Sequence, residues 1–139
     1  IQAELAKVGI TLNIVSEEWA SFLATAKTEK CADIVMLTWS NVTGDGHQML
    51  EPNFSTKNGV RVRYNNAEFD AYVDAAAKTT VLEEREAHML KAVEKIMGDA
   101  IVTPLYGVNQ LYVYNSSKFD NVQMDKGGLF YVKDFTIVK

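Results

Sequence analysis

"ITLNIVSEEWASFLATAKTEKCADIVMLTW", Ile10 to Trp39, reads as strand, helix, strand. Ile10, Leu12 and Ile14 alternate with Thr11 and Asn13, the period of two that an extended chain gives. Ser16 is placed to cap a helix, with Glu17 and Glu18 in the first turn, where carboxylates suit the helix dipole. Trp19, Phe22, Leu23 and Ala26 then recur at i, i+3, i+4 and i+7, one buried stripe, which puts Trp19 in a core. "ADIVMLTW", Ala32 to Trp39, follows as a second strand. Its unbroken apolar centre predicts burial on both faces, as in a parallel sheet. Strand, helix and strand within about 30 residues make a right-handed βαβ crossover, so the class is α/β.

Upstream, Ile1, Leu5 and Val8 lie at near-helical spacing, and Gly9 follows where a left-handed cap is wanted. The opening "IQAELAKVG" lacks an initiating methionine and reads as the end of a longer helix, so a targeting segment would lie further upstream. Downstream of the crossover, "SNVTGDG" is a polar loop and "HQMLEPNF" a short helix closed by Pro52. Lys57 to Asn66 is loop or irregular strand. Asn66 caps a helix with Phe69, Tyr72, Val73 and Ala76 inside, and Thr80 with Glu83 forms a capping box for the next. That helix buries Met89, Leu90, Val93, Ile96 and Met97, while Glu83, Glu84, Arg85, Glu86, Lys91 and Glu94 face water. "IVTPLYGV" and "QLYVYN" read as strands, with Pro104 at an edge. "FYVKDFTIV" is a final strand after the Gly127-Gly128 turn.

The bulk properties narrow the function. A chain of 139 residues holds one domain with a core. Net charge -4, with its basic residues scattered apart from "RVR" at Arg61 to Arg63, argues against nucleic acid as a partner. No apolar run approaches the ~20 residues that cross a bilayer. The single cysteine, Cys31, excludes an internal disulfide and a cysteine-rich metal site. It has no histidine or arginine beside it, which argues against a nucleophile. No catalytic constellation stands out, no cofactor is implied, and "TGDG" lacks the Lys-Ser/Thr of a phosphate loop.

The order of segments resembles the C-terminal region of the extracellular solute-binding proteins of family 5, the dipeptide, oligopeptide and nickel receptors of ABC importers. The resemblance runs from Ile1 to about Asn115. "YNNAEFD", Tyr64 to Asp70, looks like the family's signature before a helix, and "TPLY", Thr103 to Tyr106, like its strand after the long helix. It implies part of a lobe of a type II periplasmic-binding-protein fold, a mixed sheet with flanking helices. Residues 1–115 would be the C-terminal part of the second ligand-binding lobe, and 116–139 a tail that in the family returns toward the first. The N-terminal lobe would be a missing partner. The resemblance further implies capture of a peptide or similar small polar solute, docking on a membrane permease, and a periplasmic or lipoprotein-anchored cell-surface location in a bacterium. The same fold also serves as a ligand-sensing domain of regulators. A small independent α/β enzyme is a third reading, for which no nucleophile or acid-base pair speaks.

In the family the tryptophan at the position of Trp39 lines the ligand cleft, and α/β sheets bind ligands beyond the carboxyl ends of their strands. Peptide-binding members carry an aspartate three residues later, paired with the ligand's ammonium. Here that position is Val42, which cannot hold an ammonium. Asp45 could substitute, or it could shape the "TGDG" turn. Asn41 and Thr43 add uncharged hydrogen-bonding groups that also suit sugars, opines or other polar solutes. Tyr106 is a further candidate for the cleft. His47 and His88 form no metal-ligand set, so no metal site is expected.

Overall fold

The computed structural model describes residues 1–139 except Lys27, Glu29, Val60, Lys126 and Lys139. The chain divides into two compact units, Ile1–Asp33 and Ile34–Lys139.

The first unit carries α1 (Gln2–Lys7) and α2 (Trp19–Thr25). α1 ends as its sequence predicts. Gly9 takes φ +82, and the Gly9 and Ile10 amides donate to the Ala6 and Leu5 carbonyls at 3.1 and 3.0 Å. Those are the two bonds of a Schellman cap, and glycine accepts the left-handed backbone at no steric cost. The Gln2 amide reaches forward to the Leu12 carbonyl, 2.7 Å away, and ties the next segment to the helix. α2 departs from expectation. It begins at Trp19, its N-cap is Glu18, and no side chain caps it, so Ser16 lies outside the helix. The expected buried stripe is mostly open: Trp19 is half exposed, Leu23 is exposed, and only Ala26 is buried. Trp19 instead stacks on Phe22 at 5.5 Å between ring centroids. A helix of two turns has too little surface of its own to hide an indole.

The second unit is organised around α3 (His47–Phe54), α4 (Ala67–Lys78) and α5 (Leu82–Gly98). Their facing stripes close one core of Leu50 and Phe54 from α3, Phe69 and Val73 from α4, and Ala92 and Ile96 from α5, with Tyr64 from the preceding loop. Phe69 is fully buried and meets Phe54 and Tyr64 edge-on, with centroids 6.3 and 5.5 Å away. α4 follows the sequence closely. The Asn66 side chain accepts from the Glu68 and Phe69 amides, both at 3.0 Å, and Phe69, Val73 and Ala76 are buried.

Three expectations for the other helices are corrected. Pro52 does not close α3, which runs to Phe54 with the proline inside it. The Asn53 amide donates to the Met49 carbonyl at 2.7 Å, and the burial of Leu50, Asn53 and Phe54 holds that last turn in place. The Thr80 capping box does not form: the N-cap of α5 is Val81, no side chain caps the helix, and Thr79 just before it accepts from the Val81 amide and donates to Glu84. On α5 the inner face is Ala92 and Ile96 with Met89 and Val93 beside them, whereas Leu90 and Met97 are exposed. α5 ends in a second Schellman cap, Ala100 to Met97 and Ile101 to Ile96, but with Ala100 held at φ 56 where α1 has glycine.

Four segments read as strands form no ladder among the described residues: 10–15, 32–39, 101–108 and 110–115. Many of their apolar side chains are correspondingly open, Leu111 at 89% and Val113 at 99%, while Ile101 and Val102 pack against the helical core. A strand's backbone is satisfied only by a neighbour, so strand character in the sequence does not become a strand without one. The described residues contain one sheet, β1 (Phe119–Asp120) against β2 (Thr136–Ile137), antiparallel, Phe119 opposite Ile137. The expected final strand is thus reduced to β2, preceded by a 3-10 turn at Val132–Asp134.

Candidate functional site

The segment leading to Trp39 is extended in its exposure pattern. Val35 (37%), Leu37 (41%) and Trp39 (38%) are more covered than Ile34 (66%) and Met36 (63%), the alternation of a strand with one better-protected face. Trp39 lies at the end of that face, and the Arg61 guanidinium carbon stands over its ring, 5.6 Å from the centroid. Arg61 lies in the loop before α4. The neighbouring Val62 packs against the three-helix core, which anchors the arginine's backbone.

The loop after Trp39 is closed on itself. Asn41 Oδ1 accepts from the Gly44 amide at 3.0 Å, while Asn41 Nδ2 donates to the Asp45 carbonyl at 2.9 Å. The Thr43 amide and hydroxyl donate to Gln48 Oε1 at 3.1 and 3.0 Å, and Thr43 Oγ1 accepts from the Asp45 amide. Gly44 provides the left-handed turn residue at φ +73. Asp45 then serves two structures at once. One carboxylate oxygen accepts from the His47 amide at 2.8 Å, at the start of α3. The other accepts from Arg85 Nε of α5 at 2.7 Å. Arg85 also donates to the Ala76 carbonyl near the end of α4. The arginine expected to face water is therefore a half-buried tie between the loop and two helices. Its hydrogen bond holds the Asp45 carboxyl below the usual range, with the His47 amide adding to the effect against desolvation.

On its other side the loop meets the C-terminal segment. A side chain at Gly127 would stand 3.0 Å from Val42 Cα, so this turn's backbone rests directly on Val42. Asp125 builds the turn by accepting from the Gly127 and Leu129 amides at 2.8 and 2.9 Å. Gly128 there is left-handed at φ +85 and packs on Gln110 and Tyr112.

The structure thus brings Asn41, Thr43 and Asp45 together as one hydrogen-bonded loop, sets Val42 half exposed at its edge, and joins Trp39 to Arg61. Tyr106 is exposed, and no hydrogen bond or ring contact among the described residues links it to this loop. An open depression of about 420 Å³ lies beside the loop, with Thr43, Asp45, His47, Gln48 and Arg85 in its wall and Trp39 outside it. Among the described residues no group of three or more His, Cys, Asp or Glu is placed to hold a metal ion, and no helix is long and apolar enough to cross a membrane. Sequence reading missed Arg61, Gln48 and Arg85. Arg85 sits in the charged run "LEEREAH", where nothing marks one member as inward-facing.

The "YNNAEFD" signature resolves as architecture. The Tyr64 hydroxyl donates to Asp99 Oδ2 at 2.6 Å, Asn66 Nδ2 approaches the same oxygen at 3.2 Å, and Lys95 holds Oδ1 at 2.9 Å. Desolvation and the Asp99 bond push the Tyr64 hydroxyl well above its ordinary value. The Tyr64 bond, then Lys95, pulls Asp99 down. The motif locks the start of α4 to the end of α5.

The architecture is that of a partial α/β lobe of the solute-binding-protein fold. It matches the solved structure of HbpA2 from Haemophilus parasuis with a TM-score of 0.74 over 99% of this chain and 27% of that one, at 21% identity. In sequence the chain is 38% identical over 89 residues to heme-binding protein A of Haemophilus influenzae, 61% of this chain and 16% of the relative. Over the same length it is 34% identical to di/tripeptide-binding protein 4 of Pseudomonas aeruginosa. It is 29% identical over 109 residues to the probable di/tripeptide-binding protein 5 of that organism. No protein-family model matches. Its homologues are thus heme- and di/tripeptide-binding proteins, and it spans about a sixth of the length of the first two.

Proposed function

We propose that the chain is part of the substrate-binding component of an ABC importer, in which Trp39 and the loop to Asp45 form one wall of a solute cleft. The observation that carries this is a partly exposed indole at the end of an extended segment, followed by a loop braced from α5 and from the Gly127 turn. Ligand sites need such preorganised surfaces, because a loop that orders on binding takes its ordering cost out of the affinity. Trp39 and Val42 offer apolar contact. Asn41, Thr43 and Asp45 hold the loop's shape and present backbone groups, and Tyr106 is a further contact from the exposed 103–108 segment.

A second lobe would supply the opposite wall, and a solute touching both would bias the pair toward closure. The names of the relatives support binding without turnover and point to di- or tripeptides or heme as solute classes. Val42, apolar where peptide-binding members carry an aspartate, argues against a solute gripped by its ammonium. Delivery to a membrane permease, at a periplasmic or cell-surface location, completes the reading. Equilibrium dialysis of the chain against labelled trialanine and against hemin tests it. One of the two should bind saturably, and Trp39→Ala should weaken that binding at least tenfold. Equal binding by Trp39→Ala would contradict the assignment of the wall.

A further inference from the structure

We infer that Gly127 is a positioning residue of this cleft wall: having no side chain, it lets its turn seat directly on Val42 and so fixes where the solute-facing edge of the loop stands. The inference rests on the binding reading above and adds to it a part for the C-terminal segment.

Two features of Gly127 carry this. Its backbone is not left-handed, unlike that of Gly128 at φ +85, so the turn's conformation does not itself require glycine there. The space beside Val42 does. A Cβ at Gly127 would stand 3.0 Å from Val42 Cα and 3.1 Å from Val42 Cβ, where ordinary contact begins at 3.4 Å. It would also stand 3.2 Å from Asp125 Oδ1, the oxygen that holds the turn together. Val42 Cα is main chain and cannot rotate aside as the end of a long side chain can.

The turn is poorly placed to retreat. Asp125 accepts from the Gly127 and Leu129 amides, its own amide and carbonyl bond Leu129 and Gly128 at 3.1 Å each, and Met124 bridges to Phe130. At Gly128 an added Cβ would run into Gln110 Oε1 and the Tyr112 hydroxyl, which are bonded to each other. The Tyr112 ring in turn meets Phe130 edge-on, 4.9 Å between centroids. A side chain at Gly127 therefore presses on the loop, and close-packed contacts pass such a push along. Val42 stands between Asn41 and Thr43, whose side chains bond Gly44, Asp45 and Gln48, so the loop shifts as a unit. A binding surface tolerates errors of only about 0.5 Å, so a shift of that order costs affinity.

The test compares Gly127→Ala with the unaltered whole chain, and with Gly98→Ala, where an added Cβ meets nothing within 4 Å. Before any solute is added, Gly127→Ala should move the Val42 methyl signals and the amide signals of the loop in NMR spectra, and Gly98→Ala should leave them in place. In equilibrium dialysis against labelled trialanine and against hemin, Gly127→Ala should raise the midpoint of the probe that binds at least fivefold. Amide protection at Phe69 should stay as it is, which separates positioning from a general loss of structure. Should Gly127→Ala fail to fold, Asp125→Ala, which releases the turn without adding an atom to it, should weaken the same binding at least threefold, and unchanged binding there would overturn the inference. Val42 signals that stay in place, or a displaced loop that binds as tightly as before, overturn the role of Gly127 and leave the cleft wall standing. If the unaltered chain binds neither probe, the cleft wall falls and the role of Gly127 falls with it.

Discussion

Phe69 and Val113 are both apolar residues in strongly periodic segments, yet Phe69 is 0% exposed and Val113 is 99% exposed. The difference lies in what each kind of element needs. A helix satisfies its backbone internally and asks only for something to lie against, and α3, α4 and α5 supply that to one another within 52 residues, His47 to Gly98. A strand must find its hydrogen-bond partners in a neighbour. The segments 34–39 and 101–115 find none among the described residues, so their alternation survives as a pattern of side chains without a sheet. The relatives are several times longer, and a lobe shared with other segments is where such strands would pair.

The contrast can be broken most severely at its core. Phe69→Ala should cost about 3–5 kcal/mol, read as a lowered midpoint in denaturant, because three elements collapse on that ring. A cost below about 1 kcal/mol would mean that the helical core is not the stable body of the chain. Arg85→Met should cost about 1–2 kcal/mol, since it strips Asp45 and the Ala76 carbonyl of a partly screened charged donor. Hydrogen exchange should speed up at Thr43 and Asp45 while the Phe69 region keeps its protection, if the loop is braced as described.

The two helix ends allow a gain of stability. Ala100 sits left-handed where Gly9 does the same job for α1, so Ala100→Gly should stabilise by about 1 kcal/mol. Acidification acts on the same ties. Asp45 and Asp99 are held below their ordinary value of 3.8, so their stabilisation is full above that pH and disappears as pH falls through the depressed folded values. Tyr64 runs the other way: its raised hydroxyl stabilises the fold up to its ordinary value of 10.0, and that contribution is lost as pH rises through the higher folded value. Titration of thermal stability should show both edges, the acid one softened in Arg85→Met. At the small end, Leu111→Lys with Val113→Lys should change stability by less than about 0.5 kcal/mol while reducing self-association, because these side chains touch nothing that folding depends on.

The same contrast separates what was legible in the sequence from what was not. α4 was readable to its cap, because Asn66 and the Phe69, Val73, Ala76 stripe encode a local structure that needs no distant information. The α/β class was readable from strand-helix-strand order, and the match to a solute-binding lobe agrees with it. The exposure of Trp19 and of 34–39 was not readable, because burial depends on what lies opposite and periodicity names only a face. Within the site, the turn chemistry of "TGDG" was visible, but its brace was not. Asp45 and Arg85 are 40 residues apart, and a salt bridge across that distance leaves no local trace. Arg61 over Trp39 was hidden for the same reason.

The most direct test of the whole account follows the two tryptophan indole N–H signals through titrations with trialanine and with hemin, one of which should bind. The account predicts a saturable shift at Trp39, accompanied by backbone shifts between Asn41 and Asp45, and a Trp19 signal that stays in place. A Trp39 signal indifferent to solute, or one that moves no more than that of Trp19, would contradict it.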